Sequence, residues 1–299
     1  MGTLLLLLFV VIDDIEATSF LGRPLRAKDL PFSDTTKLEA AYEEARTRAL
    51  AAPDSVELAV WHGRRAAYLG RYRDAVTIFT EALERHPQSP ELYRHRGHRY
   101  ITLREIDKAI GDLSRAAELC AELPDRIEPD GAPNAFKIPL STRTFNIDYH
   151  LGLAYFLDGQ YERACDVYER CLVVSRRNND LLTATAQWLT ATYRRLGRHE
   201  DARKLLSTID ESMRILENDG YHELLLLAKG TRTVGELLAP EGKNALMSAT
   251  VGFGVGQLYQ AQGELDQARK IYEQILETPY WSAFGYIAAE RELARMRDK

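Results

Sequence analysis

From about residue 35 onward, apolar positions recur at helical spacing and hardly stop. Thr35 or Thr36 is placed to cap a helix running from Lys37 to Ala51, which Pro53 then ends. Ser89-Pro90-Glu91 opens another helix: a hydroxyl that accepts from the first turn, a proline whose missing N–H costs nothing there, and an acid near the positive end of the dipole. Gly70, Gly159, Gly197 and Gly263 are placed to end helices in the left-handed conformation. Leu224 to Leu227 is apolar on every face, which predicts a helix buried all round. The stretch from about Ser282 to Met296 is helical in pattern and highly charged, and reads as a polar closing helix.

The pattern has a period. Ala41, Ala75 and Ala109 lie 34 residues apart, as do Pro53 and Pro87, Gly63 and Gly97, and Ala82 and Ala116. Arg48 holds the slot one unit before Ala82, so the first helix matches only in part. Small residues in fixed slots at this period mark a helix-turn-helix repeat. The glycine of a first helix and the alanine of a second let two helices approach closely, and large residues such as Phe79, Tyr168 and Tyr272 fill the gap to the neighbouring helix. The regularity fails in three places. Residues 18–34 read as an irregular leader, and residues 239–245 as a short loop. Residues 121–147, rich in proline, read as an inserted loop that makes the step from Gly97 to Gly152 55 residues long.

On these residues the chain resembles the tetratricopeptide repeat family. One unit shows Gly63, Ala66, Gly70, Tyr72, Ala75, Phe79, Ala82 and Pro87; the next shows Gly97, Tyr100, Ala109, Leu113 and Ala116, with Arg104 where a turn glycine is expected. A third has Gly152, Tyr155, Gly159, Tyr161, Ala164, Tyr168 and Cys171, and a fourth Tyr193, Gly197, Ala202 and Leu206. The last has Gly256, Tyr259, Gly263, Leu265, Ala268, Tyr272 and Ile275. Before it, Gly230 and Gly235 mark a degenerate unit that Pro240 cuts short. The resemblance implies an all-α solenoid of five to six units over residues 35–297, opened by a lone helix and closed by a C-terminal capping helix. It also implies that first helices line a concave groove. Equivalent slots then place Trp61, His95, His150 and Trp188 in one row, with Arg94 and Tyr149 in the row before and Arg64 and His98 just after the glycine. Rings supply contact area and arginine forks onto carboxylates, so these eight residues are the candidate ligand-binding set. For the two tryptophans, plain packing is the competing reading. The acid these cations await belongs either to a partner or to Asp125, Glu128 and Asp130 of the insertion, folded back as a lid or plug. Arg96 and Arg99 are placed between helices, where they can hold loop carboxylates.

Composition narrows the function. A formal net charge of −5 over 299 residues argues against a general nucleic-acid binder. Cys120, Cys165 and Cys171 form no disulfide framework and read as buried free thiols. Leu4 to Ile12 is uninterruptedly apolar, yet far short of the ~20 residues of a membrane span. It fits the core of a signal peptide spanning residues 1–17, with Ile15-Glu16-Ala17 as cleavage context, although no basic residue precedes it and Asp13-Asp14 follow. Export to the periplasm or outside follows if it is removed, and a cytoplasmic location otherwise; the competing reading is a strand or helix packed on the domain. His-Glu-x-x-His, the phosphate loop and Gly-x-Ser-x-Gly are missing. Gly252-x-Gly254-x-Gly256 follows no strand pattern, and Gly256 is already a repeat residue. His95, His98 and His150 could approach one another, but arginines crowd them and disfavour a cation, so neither metal nor cofactor is expected. The resemblance therefore implies a non-enzymatic scaffold or adaptor holding a protein or peptide with an acidic group. The alternative is a small-molecule binder or enzyme using the Arg/His cluster under the 121–147 loop.

Overall fold

The computed structural model describes residues 14–31, 35–130, 134–238 and 245–297. The apolar run 4–12, most of the 239–245 loop and the tip of the insertion lie outside the described residues. A short antiparallel hairpin, β1 (Ile15–Thr18) and β2 (Pro24–Arg26), precedes fourteen α-helices among the described residues. α1 (Thr35–Ala51) stands alone. Six pairs follow: α2 (Val56–Tyr68) with α3 (Tyr72–Arg85), α4 (Pro90–Thr102) with α5 (Ile106–Cys120), α6 (Arg143–Asp158) with α7 (Tyr161–Ser175), and α8 (Asn179–Arg195) with α9 (His199–Leu206). The irregular pair is α10 (Asp219–Lys229) with α11 (Val234–Leu238), and the last is α12 (Ala245–Ala261) with α13 (Leu265–Leu276). α14 (Phe284–Arg297) packs on α12 and α13. First helices touch first helices along the array, so they form one inner layer.

The period has a steric cause. A Cβ built on Gly63 would sit 2.3 Å from the Phe79 ring, and one on Gly152 would sit 2.7 Å from the Tyr168 ring. Phe79 and Tyr168 are among the largest fully buried side chains, so they occupy the space that the glycine leaves. Gly252, Gly254 and Gly256 do the same work on one helix, against Ile275, Leu224 and Tyr272. The four turn glycines take φ between +71° and +90°. Leu224 to Leu227 are all buried, and the three cysteines are free and buried.

Three boundaries differ from expectation. The leader is not irregular throughout: Ala17, Leu25 and Leu30 join the core, and Trp281 donates to the Arg26 carbonyl at 3.0 Å. Glu16 on β1 accepts from the Arg73 N–H at 2.9 Å, capping α3 from outside the helix. The proposed cleavage context at 15–17 therefore lies inside a paired strand. The inserted loop ends at residue 142, because Thr142 caps α6 by accepting from Phe145 N, and Arg143 to Ile147 belong to that helix.

The closing helix differs most. α14 has no solvated polar face at its centre. Glu290 and Glu292 are each 1% exposed. They pair with Arg104 at 2.9 Å and Arg195 at 2.6 Å, residues at the ends of the second and fourth first helices. Arg291 and Arg295 donate to the Leu157 carbonyl at the end of α6. The charged residues that looked like a soluble cap reach back across the array and tie it to itself.

Candidate functional site

Ser89 and Pro90 start α4 as the sequence predicts, the hydroxyl accepting from Leu92 N. That fixes the face on which Arg94, His95, His98 and Arg99 emerge toward α2. From α2, the Arg64 guanidinium lies 4.5 Å above the Trp61 ring, bonds the Tyr68 hydroxyl, and donates to the Pro129 carbonyl at 2.8 Å. The loop is held by a scrap of antiparallel pairing. Glu128 N donates to Ser141 O, Arg143 N donates to Arg126 O, and Ile127 bridges to Thr142. This pairing delivers Glu128 onto the basic face. Its carboxylate is 3.0 Å from Arg94 Nη2 and 3.6 Å from His95 Nε2.

The acid therefore comes from within, and only Glu128 plays that part. Asp125 instead accepts from Thr144 N at the start of α6 and pairs with Arg177. Asp130 Oδ2 is buried without a hydrogen-bond partner among the described residues. Arg94 Nη1 donates to His95 Nδ1 at 2.8 Å, which leaves the imidazole proton on Nε2, facing Glu128. Burial first, and then neighbouring arginines, push His95 and His98 well below the usual histidine range; burial and Arg94 do the same to His150. All three are neutral at pH 7. Arg96 holds Asp112 of α5 at 2.7 Å and no loop carboxylate.

The expected continuous groove is divided. Trp61, Arg64 and His95 line an open cleft of about 810 Å³ between α2, the α3–α4 turn and the loop, whose Leu123, Ile127 and Pro129 form the far wall. Tyr149, His150 and Trp188 are not accessible, which corrects their placement in a ligand groove. Tyr149 and Trp188 bond each other at 2.9 Å, and the Tyr149 hydroxyl also meets that of Tyr221. Trp188 packs edge-on to Phe156 and against Phe253, so packing is its role. His150 gives Nδ1–H to the Asn146 carbonyl and stacks with His98 at 4.3 Å under Phe284 of α14. The physical reason is that Phe253 of α12 packs on Trp188, and Phe284 of α14 packs on Tyr149 and His150. Arg94 and His98 do not line the open cleft; Arg94 is buried and His98 half-buried. Leu123, Arg126 and Ile127 of the loop, and Arg143 at the start of α6, belong to the cleft but have no counterpart in the repeat, so no slot in the sequence pointed to them. Among the described residues, no three His, Cys, Asp or Glu side chains converge as a metal site would require.

Models of the tetratricopeptide repeat match residues 62–126, 143–209 and 251–278, which together span more than half the chain. The chain is a tetratricopeptide repeat protein. Its matched segments coincide with the helix pairs whose glycines admit Phe79, Tyr168 and Tyr272. No curated protein matches this repeat protein in sequence. Similar solved structures include MamA, 18% identical over 66% of this chain and 94% of that one, with a TM-score of 0.45. Another is YrrB, described as a TPR protein with an unusual peptide-binding site, 11% identical over 86% of this chain and 99% of that one, also with a TM-score of 0.45. Among the described residues no helix is long and apolar enough to cross a membrane.

Proposed function

We propose that this tetratricopeptide repeat protein is a non-enzymatic scaffold that holds a segment of a partner protein in the cleft between α2 and the 121–142 loop. The observation that carries the reading is the cleft itself: an open space of about 810 Å³ walled by apolar and aromatic side chains, with Arg64, Arg85, Arg126 and Arg143 placed around it. Val60, Trp61, Leu123 and Ile127 offer contact area to apolar side chains. Ile127 and Leu123 are 60% and 46% exposed, an unusual state for large apolar residues on a wall of the cleft. Glu57, Glu91 and Glu128 line the cleft as well, and Glu91 pairs with Arg126 and Arg143, so the cations left for an acidic group of the segment are Arg64 and Arg85.

The test is selection of binding peptides from a displayed library on the intact chain, followed by fluorescence anisotropy. Trp61→Ala and Ile127→Asp are each expected to weaken the selected peptides at least tenfold while leaving the melting temperature within a degree or two. Undiminished binding by both variants overturns the reading. Trp188→Ala is the contrasting variant, since it opens a hole in the core and lowers the melting temperature.

A further inference from the structure

Behind His95 lies a second, more enclosed space of about 120 Å³ between α2, α3 and α4, lined by Arg64, Tyr68, Arg94, His95, His98 and Arg99 among others. It has room for about four water molecules, the scale of one small ionic group. Three of its lining side chains are guanidiniums. Arg64 is satisfied by Tyr68 and the Pro129 carbonyl, with Asp130 in its field. Arg94 uses its terminal nitrogens on Glu128 and His95. Its Nε is buried with no partner among the described residues, on a side chain only 7% exposed.

Arg99 is the anomaly. Its guanidinium lies 5.5 Å above the Tyr72 ring, and it makes no hydrogen bond or ion pair among the described residues. Burial lowers its pKa to about 10, which still leaves it charged at neutral pH. After burial, the groups that act on it most are the hydroxyls of Tyr72 and Tyr68, which favour its charge, and Arg94 and Arg64, which repel it. The His98 ring also makes no hydrogen bond among the described residues, and it meets the rings of His150 and Phe284. Arg99 and His98 are half-buried and their side-chain nitrogens keep contact with solvent, whereas Arg94 Nε is buried without a partner among the described residues and is costly unless an acceptor reaches it.

We propose that this inner cavity is a binding site for a small oxyanion, phosphate or carboxylate in size, gripped by Arg99 and by Arg94 Nε with an N–H from His98. Arg99 supplies a planar fork of donors, the arrangement that matches oxyanions best. Neutral His98 donates without adding charge. Glu128 already neutralises the outer side of Arg94, so the site needs an anion only on its inner side. The shared chemistry has two sources: a free inorganic anion, or the acidic end of a segment lying in the outer cleft. Arg64 and His95 line both spaces, so they form the partition between them. The site does not depend on whether the cleft holds a peptide.

The experiment is thermal melting and calorimetric titration of the full chain with sodium phosphate and sodium acetate, against sodium chloride at equal ionic strength and pH 7.5. Phosphate stabilises many proteins weakly by exclusion, so the comparison with variants decides. The wild type is expected to show saturable binding and a rise in melting temperature that Arg99→Met abolishes and Arg99→Lys reduces at least tenfold in affinity. In chloride, Arg99→Met is expected to melt no lower than the wild type, because it removes an uncompensated charge. An equal response of wild type and Arg99→Met, or no saturable binding of either anion, overturns the proposal. Competition between phosphate and a cleft-selected peptide assigns the anion to the peptide's acidic end. Intact phosphate binding without competition assigns it to a free ion, and either result supports the site. A Trp61→Ala variant that loses peptide but keeps phosphate separates this site from the cleft.

Discussion

Arg104 stands where the repeat calls for glycine, and it takes φ +65°. A side chain in that region costs about 1–2 kcal/mol. The cost is offset by what the side chain reaches. Nε pairs with Glu290, while Nη1 and Nη2 donate to the carbonyls of Thr102 and Trp281 at 2.6 and 2.8 Å. Arg104→Gly relieves the backbone but strands a buried carboxylate, a loss of about 3–5 kcal/mol before that relief. The net expectation is a variant less stable by about 2–3 kcal/mol in urea denaturation. Adding Glu290→Leu should recover most of it, and a second substitution that recovers nothing would refute the pairing as the cause. The sequence displayed the departure from glycine plainly. It could not display the partner, which lies 186 residues away and carries no repeat signal of its own.

At the scale of elements, the helix pairs were legible because close packing imposes a strict period of small residues on the chain. The hairpin was not, and of the inserted loop only its presence was, because their shape rests on isolated backbone bonds rather than on a repeated face. The expectation that Glu128 could meet the basic helix was available from composition. The pairing of residues 126–128 with 141–143 that puts it there was not. The hairpin bears on processing. A chain beginning at Thr18 lacks Glu16, the external cap of α3, and the buried Ala17. Loss of a cap alone costs about 1 kcal/mol, so this chain should melt at least about 2–4 °C lower than one retaining residues 14–17. Scanning calorimetry of the two chains checks it; identical transitions would mean that β1 contributes nothing.

The whole molecule is a solenoid whose inner residues Tyr149, His150 and Trp188 are covered by α12 and α14. Candidate residues from the first two inner helices therefore keep an opening, whereas Tyr149, His150 and Trp188 became core. Slot equivalence placed them correctly on the inner layer but could not say what covers that layer. The buried histidines also set a pH response. Burial, and after it the field of Arg94, Arg99 and, at His95, Arg64, holds the folded pKa values of His95, His98 and His150 well below 6.5. Below pH 6.5 the unfolded chain takes up protons that the folded chain refuses. Stability is therefore full above that pH and falls as the solution is acidified, by up to about 1.4 kcal/mol per pH unit for each histidine. Burial raises the carboxyls of Glu16 and Asp148, which act in the opposite sense and blunt the slope. Urea melts at pH 7.5, 6.5 and 5.5 should show the decline, and His98→Gln should make it shallower. A flat profile contradicts the neutral assignment.

Simple helical arrays grow by adding units, each stable against its neighbour alone. Here Trp281 closes on the Arg26 carbonyl 255 residues earlier, and α14 grips the ends of three inner helices. During synthesis the early repeats can stack as they emerge from the ribosome, but the inner face stays bare until the final helix arrives. A stop codon in the last thirty positions should therefore be felt at residue 20 as well as at residue 270, and nascent chains paused there are the ones a chaperone should recognise.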